Sequence, residues 1–397
     1  MLPLLIIGGG IHGVHLAHRL LRQTPLTHDD IRILDPHDEL LHEWRRCTRN
    51  CGMRHLRSPS VHHLDIEPFS LDRYAALPEN RRDTNFIPPK DRPSLALFNK
   101  HCRMVIDTHR LESLRIKGIA LELLNQIGYV GVVTQAGTIN ARMILLAISM
   151  NHQPLWPHWA TPLRERGAPF QHVFDADFRL DAIQNRGPVG VIGSGISGVQ
   201  VGLHLAEKGF DRVLLISKKP IRISDFDFDP GWLGPKYLDR FCRQSFDQRR
   251  QQIRAARAKG SVPRDTKLAL DQARALNQIT CIVDDISDAK HQDGGVLLVG
   301  RHGQYDCREI VLATGFAEKR PGNGFINQAV KEFDLKTATC GFPVIGPSLQ
   351  WHERIFVTGP LSELQIGPSA RNIAGARHAG RKIIDAIHKK STLSKPI

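Results

Sequence analysis

No apolar run in this sequence approaches the roughly 18 residues of a membrane-spanning helix, so a helical membrane span is not expected. Its seven cysteines are an odd number, which argues against a secreted disulfide framework. Only Cys47 and Cys51 lie close together, and their C-x3-C spacing puts them on one helical face where a bridge would be strained. They are therefore expected to be plain thiols. No cysteine or histidine cluster has metal-ligand spacing, so no metal is expected, and His62-His63 read as surface or core residues. Met1-Leu2-Pro3-Leu4-Leu5 also lacks a basic n-region, and a glycine-rich stretch interrupts it at once. The chain therefore shows no signal peptide, and a cytoplasmic enzyme is expected.

What is present is one phosphate-binding signature, twice, about 185 residues apart. Gly8-Gly9-Gly10-Ile11-His12-Gly13 follows Leu4-Leu5-Ile6-Ile7, and Gly193-Ser194-Gly195-Ile196-Ser197-Gly198 follows Val189-Gly190-Val191-Ile192. In such a loop the first glycine permits the turn out of the strand. The second clears the backbone for a pyrophosphate, and the third lets the helix pack on the strand. The helix then presents free N–H groups and a positive dipole end to the phosphates. One such motif is weak; two, each leading into a helical pattern and a second strand, indicate two dinucleotide sites.

The second strands distinguish the two sites. Ile31-Arg32-Ile33-Leu34 ends in Asp35, 22 residues past Gly13. A carboxylate there accepts from both ribose hydroxyls and repels a 2′-phosphate, which fits FAD or NAD. Val213-Leu214-Leu215-Ile216 ends in Ser217-Lys218-Lys219, a hydroxyl and two ammonium groups suited to a 2′-phosphate. FAD is thus expected at the first loop and NADPH at the second.

The formal net charge is +14, and much of it is concentrated in residues 240–259, a basic stretch with a helical pattern. Its simplest reading is a solvated helix face. A basic helix can bind nucleic acid or an anionic surface, but no nucleic-acid motif accompanies this one.

Segment order predicts an α/β fold with two Rossmann-like dinucleotide-binding domains, the NADPH domain inserted in the FAD domain. Residues 1–150 would be the first part of the FAD domain and 151–186, with four prolines, a connector. Residues 187–310 would be the NAD(P)H domain, and 311–397 the return segment with a final helix over about 369–388. The chain leaves a homo-oligomer open.

Ala313-Thr314-Gly315-Phe316 is similar to the A-T-G-[YF] strand end of the flavin monooxygenases, and Gly193 through Gln200 looks like their NADPH loop. The stretch from Trp44 through Gly52-Met53 to Leu64-Asp65 is similar to the one that runs under the flavin ring in ornithine and lysine N-hydroxylases. Glu363-Leu364-Gln365-Ile366-Gly367-Pro368 precedes a helix whose N-terminus in that family points at the flavin pyrimidine. Over nearly its whole length the chain resembles the two-dinucleotide-domain flavoprotein monooxygenases: the flavin-containing, Baeyer–Villiger and N-hydroxylase groups. It departs from them in three places. It has no F-x-G-x-x-x-H signature before the second loop, where Phe170 to Asp175 is the nearest stretch. Ile196 and Gln200 stand where N-hydroxylases usually carry Gln and Glu. Gly359-Pro360 replaces a common Gly-Asp.

The resemblance implies FAD reduced by NADPH, reaction with O2 to a flavin C4a-peroxide, and oxygenation of a small molecule. No side chain need act as nucleophile, so no catalytic residue is assigned. The residues expected to hold cofactor are Gly8, Gly10, Ile11, His12, Gly13, Asp35, Trp44, Met53, Arg57, Ser58, Gly193, Gly195, Ile196, Ser197, Gly198, Ser217, Lys218, Lys219, Thr314, Gly315, Gly359, Gln365 and Ile366. An NADPH-dependent flavin or disulfide reductase, a non-catalytic FAD-binding redox sensor and a binder using the basic helix are the other readings.

Overall fold

The computed structural model describes residues 1–292 and 294–392. Strand Leu2–Ile7 lies inside the first sheet, and Leu4, Leu5 and Ile6 are fully buried. It pairs in parallel with Ile31–Asp35 on one side and Gly137–Leu146 on the other. Parallel strands covered on both faces read as unbroken apolar runs, which is why Leu4-Leu5-Ile6-Ile7 does not alternate. A meander of Glu122–Gln126 and Tyr129–Thr134 feeds Gly137–Leu146. Beyond it lies Ile355–Val357, parallel, and then Gln350–His352, antiparallel. This sheet therefore takes strands from both ends of the chain.

A second sheet, wholly parallel, is built from the sequence between those ends. Its order is Ile279–Val283, Val213–Ser217, Val189–Ile192, Glu309–Leu312, Phe170–His172. The fold is thus α/β with two Rossmann-like units, the second interposed within the first. The edge strand Phe170–His172 comes from the stretch expected to be a connector; it pairs with Ile310, Val311 and Leu312.

Two helices differ from expectation. The final helix is Ile373–Thr392, starting later than residue 369, because Gly367 at φ +75° and Pro368 hold residues 367–371 in a separate tight turn. The basic stretch is not one helix but two, Pro235–Phe241 and Phe246–Ala256. Ser245 starts the second with a capping box: its hydroxyl accepts from the Gln248 N–H, and Gln248 Oε1 accepts from the Ser245 N–H, closing two otherwise free donors. Nor is this stretch simply a solvated face. Arg249 and Arg250 are buried and donate inward, to Leu364 O and Glu318 O respectively.

Candidate functional site: two glycine cradles and the cleft between them

The two loops have the same geometry, glycine for glycine. A Cβ on Gly8 would sit 2.6 Å from Ala147 O, and one on Gly193 2.4 Å from Ala313 O. Both residues also have strongly positive φ, +114° and +133°. A Cβ on Gly13 would meet Gly8 O at 1.9 Å, and one on Gly198 would meet Gly193 O at 2.2 Å. The middle glycines are different. Gly10 and Gly195 have ordinary extended backbone and nothing within 4 Å of a built Cβ. Each is the N-cap of its helix, Ile11–Gln23 or Ile196–Glu207, and neither helix has a side-chain cap. The first-turn N–H groups therefore face open room of a kind suited to an anion.

At the first loop Asp35 accepts from the Gly9 N–H at 2.6 Å and from the His37 N–H at 3.0 Å, one on each oxygen. Each oxygen keeps lone pairs for ribose hydroxyls. His12 points away from the cradle. Its Nε2 lies 3.1 Å from Asn372 O, which can only accept, so Nε2 carries the proton and Nδ1 accepts from the Thr358 hydroxyl at 2.8 Å. Burial lowers its pKa to about 4, so the ring is neutral and ties the loop to the final helix. A Cβ built on Gly359, at φ +64°, would lie 3.9 Å from that ring. The phosphate and ribose end thus fits a dinucleotide.

The expected ring end is covered. Gln365 and Ile366 are buried, Gln365 accepts from Arg249 at 3.3 Å, and Trp232 lies against Gly367. Arg57 and Ser58 line a pocket of about 210 Å³ with Phe226 and Phe228, and Arg57 also borders the neighbouring cleft that holds Gly195 and Gly315. Arg57 is spent on the carbonyls of Ser224 and Phe226, both at 2.7 Å. Trp44 lies in helix His42–Asn50, which begins beside the first loop, where the Leu41 N–H donates to Gly9 O; its indole N–H goes to Asn99 at 3.0 Å and its ring packs on Phe98. Met53 packs on the first core, and its N–H closes the turn after helix His42–Asn50.

At the second loop a pocket of about 690 Å³ brings together Ser217, Lys218, Lys219, Gly193 and Thr314. It adds Arg222 and Lys259, which the sequence reading missed; they arrive by a short parallel pairing of Arg222–Ile223 with Ser261–Val262. It also adds acids where none stands at the strand end itself. Asp284 and Asp285 follow the neighbouring strand Ile279–Val283, and Lys218 reaches Asp285 at 2.8 Å. Replacing Lys218 and Lys219 with Ala is expected to raise the KM for NADPH about three- to tenfold more than that for NADH, the exposed pair being partly screened. Asp285→Asn, which frees Lys218, should shift the ratio the other way. Coenzyme ratios that stay constant across these variants would remove Lys218 and Lys219 from phosphate recognition.

Ile196, Ser197, Gly195, Gly315 and Phe316 line a second cleft of about 440 Å³. Its floor is fixed by a hydrogen-bonded chain. The Phe174 N–H donates to His172 Nδ1 at 3.2 Å, so His172 Nε2 donates to Thr314 Oγ1 at 3.1 Å, and the Thr314 hydroxyl donates to Leu155 O. Phe174 stacks on Phe316 at 4.4 Å. The stretch that departs from the family signature is thus the one that props the Ala313-Thr314-Gly315-Phe316 strand end.

Cys47 and Cys51 are free thiols. Burial pushes their pKa values to about 12 and about 11, so neither offers a thiolate. Cys47→Ser with Cys51→Ser is expected to leave NADPH oxidation unchanged. A thiolate–flavin charge-transfer band on two-electron reduction would reverse that assignment. Among the described residues, His37, His42 and Glu43 are the group within metal-binding reach. Arg46 holds Glu43 through both carboxylate oxygens, at 2.8 and 2.9 Å.

No family model and no curated protein matches the sequence. Solved structures do match its fold. The cadaverine monooxygenase DfoA of Erwinia amylovora, bound to FAD, superposes with a TM-score of 0.76 at 13% identity over 98% of this chain and 95% of its own. The ornithine hydroxylase PvdA of Pseudomonas aeruginosa gives 0.75 at 16% identity over 97% and 98%. The bacillithiol disulfide reductase of Staphylococcus aureus gives 0.61 at 13% over 98% of each. The chain therefore has the two-dinucleotide-domain flavoprotein fold. Within that fold it superposes better on these two N-hydroxylating monooxygenases than on the disulfide reductase.

Proposed function

We propose that the chain is an FAD- and NADPH-dependent oxidoreductase, and specifically a monooxygenase that uses O2 on a small molecule. The observation that carries this reading is the duplicated cradle: two glycine loops with matching close approaches, each leaving its middle glycine open. FAD held at the first loop would supply the two-electron chemistry that side chains cannot. Gly8, Gly10, Ile11 and Gly13 would seat its pyrophosphate and Asp35 its ribose. Gly193, Gly195, Ile196, Ser197 and Gly198 would seat the pyrophosphate of NADPH, and Ser217, Lys218, Lys219 and Arg222 its 2′-phosphate. Thr314, held by His172 and Leu155, would fix the strand end between the two cofactors, with the Phe174–Phe316 stack beside it.

Among the described residues no helix is long and apolar enough to cross a membrane. The free state of all seven cysteines supports placement in a reducing compartment, the cytoplasm.

The test is oxygen bookkeeping with purified protein, NADPH and ¹⁸O2 over a panel of amines, thioethers and ketones. With a true substrate, label enters the product and H2O2 falls below the NADPH consumed. Stoichiometric H2O2 with no label in any product would make the chain a reductase or oxidase.

A further inference from the structure

The 440 Å³ cleft carries more positive charge than its carboxylates balance. Six basic side chains line it: Arg57, Arg250, Arg254, Arg257, Lys259 and Arg371. Three acids serve them. Glu318 takes Arg254 at 2.9 Å and also Lys259. Asp227 lies 3.6 Å from Arg57 and 3.9 Å from Arg257. Glu363, fully buried, takes Arg250, Arg371 at 2.9 Å and Arg257 at 3.7 Å. Three formal positive charges are left over.

The cleft divides by depth. Arg254 and Lys259 are more than half exposed, and Gly260 abuts the Ser194 side chain. This rim faces the pyrophosphate cradle, and its one surplus charge suits the dinucleotide. The other four cations are at most 17% exposed; among the described residues they pair within 4 Å with Asp227 and Glu363, and Asp225 acts on Arg57 from farther off, so two of the four lie deep without a carboxylate partner of their own. Burial, and for Arg257 also the nearby Arg371, draws the Arg57 and Arg257 pKa values below the ordinary guanidinium value. Arg250 Nε–H has no hydrogen-bond partner among the described residues. Unbalanced buried cations are unfavourable, and an anion in the cleft relieves them.

We propose that this deep end is a carboxylate subsite, so that the small-molecule substrate is an organic acid, held by Arg257 and Arg371 beside Thr314-Gly315-Phe316. Arg57 serves as fixed wall, since its donors go to backbone carbonyls. Among the described residues the Arg257 guanidinium makes one direct hydrogen bond, to Pro368 O at 3.2 Å, and its contacts to the two acids are long, so it has donors to give. Guanidinium groups bind carboxylates in a bidentate, charge-assisted manner. A cationic amine entering the same surplus would be repelled. The inference rests on the reading that the second loop holds NADPH, which sets the subsite next to the reacting end of that coenzyme.

The experiment uses the full chain saturated with NADP⁺ and three probes sharing a five-carbon chain: glutarate, its neutral diamide glutaramide, and the diamine cadaverine. Affinities are measured by calorimetry. Glutarate should bind at least tenfold more tightly than glutaramide, with cadaverine weakest. Arg257→Gln or Arg371→Gln should reduce glutarate to the level of the diamide while NADP⁺ affinity stays within about threefold. Equal binding of glutarate and glutaramide, or tighter binding of cadaverine, overturns the subsite. The order of the three probes on the unsubstituted protein decides the matter even if an arginine variant fails to fold. Failure of NADP⁺ to bind would instead count against the functional reading, and the same series on coenzyme-free protein would still judge the subsite.

Discussion

Gly195→Val is expected to fold like the parent and bind NADPH at least tenfold more weakly, while Gly198→Ala, a smaller change, is expected to damage the fold. The difference lies in what surrounds each position. Gly195 has φ −75° and ψ 172°, a conformation open to valine, and no atom lies within 4 Å of a built Cβ. A side chain there enters only the space that a pyrophosphate would use. A Cβ on Gly198 would lie 2.2 Å from a backbone carbonyl oxygen that cannot swing away. Overpacking of this kind costs about 1–3 kcal/mol, sometimes more. The first loop should repeat the pattern, with Gly10→Val losing FAD at unchanged melting temperature and Gly13→Ala melting several degrees lower. Thermal unfolding of apo-protein combined with coenzyme titration checks both halves. Full FAD retention in Gly10→Val would refute the first site, and a destabilised Gly195→Val would refute the idea that its surroundings are open.

The second large effect is loss of stability on mild acidification. His15, His63, His101 and His172 are all buried. Burial lowers their pKa values to about 3, 4, 3 and 4 respectively. The rings use one nitrogen each on Leu64 O, Pro68 O, the Ser70 hydroxyl and Thr314. For the first three the other nitrogen has no partner among the described residues, so protonation there gains nothing.

The folded pKa values lie below the unfolded value of 6.5. The unfolded chain therefore binds more protons, and stability is full above about pH 7 and falls as pH drops from 6.5 toward 4. At pH 5 each such ring lowers stability by about 2 kcal/mol, and four together approach the roughly 5–15 kcal/mol that holds a protein folded. Melting temperature should drop steeply between pH 6.5 and 5, and His63→Gln or His101→Gln should flatten that slope. A melting temperature constant from pH 7.5 to 5 would show that these rings are not buried and neutral as described.

The sequence by itself determined the parts of this protein that depend on neighbours along the chain. An apolar run, a glycine-spaced turn and an amphipathic helix are contiguous, and their physics is local. Gly8, Gly10, Gly13 and their counterparts Gly193, Gly195 and Gly198 could therefore be assigned roles before any fold was known. The position of Asp35 and Ser217, each the last residue of a strand, was legible in the same way.

Tertiary structure decided whatever depends on contacts between distant segments. Asp284 and Asp285 share a pocket with Lys218 because two parallel strands end at the same edge, although some 65 residues separate them. The Trp44 indole N–H finds its acceptor on Asn99, a residue of another helix. The basic stretch reads as solvent-facing because guanidinium groups ordinarily stay in water. Its arginines turn inward because Glu363 and the carbonyls of residues 318 and 364 wait there, over 60 residues or more away along the chain. No local pattern carries that information, since the free energy that buries a charge belongs to the partner it meets.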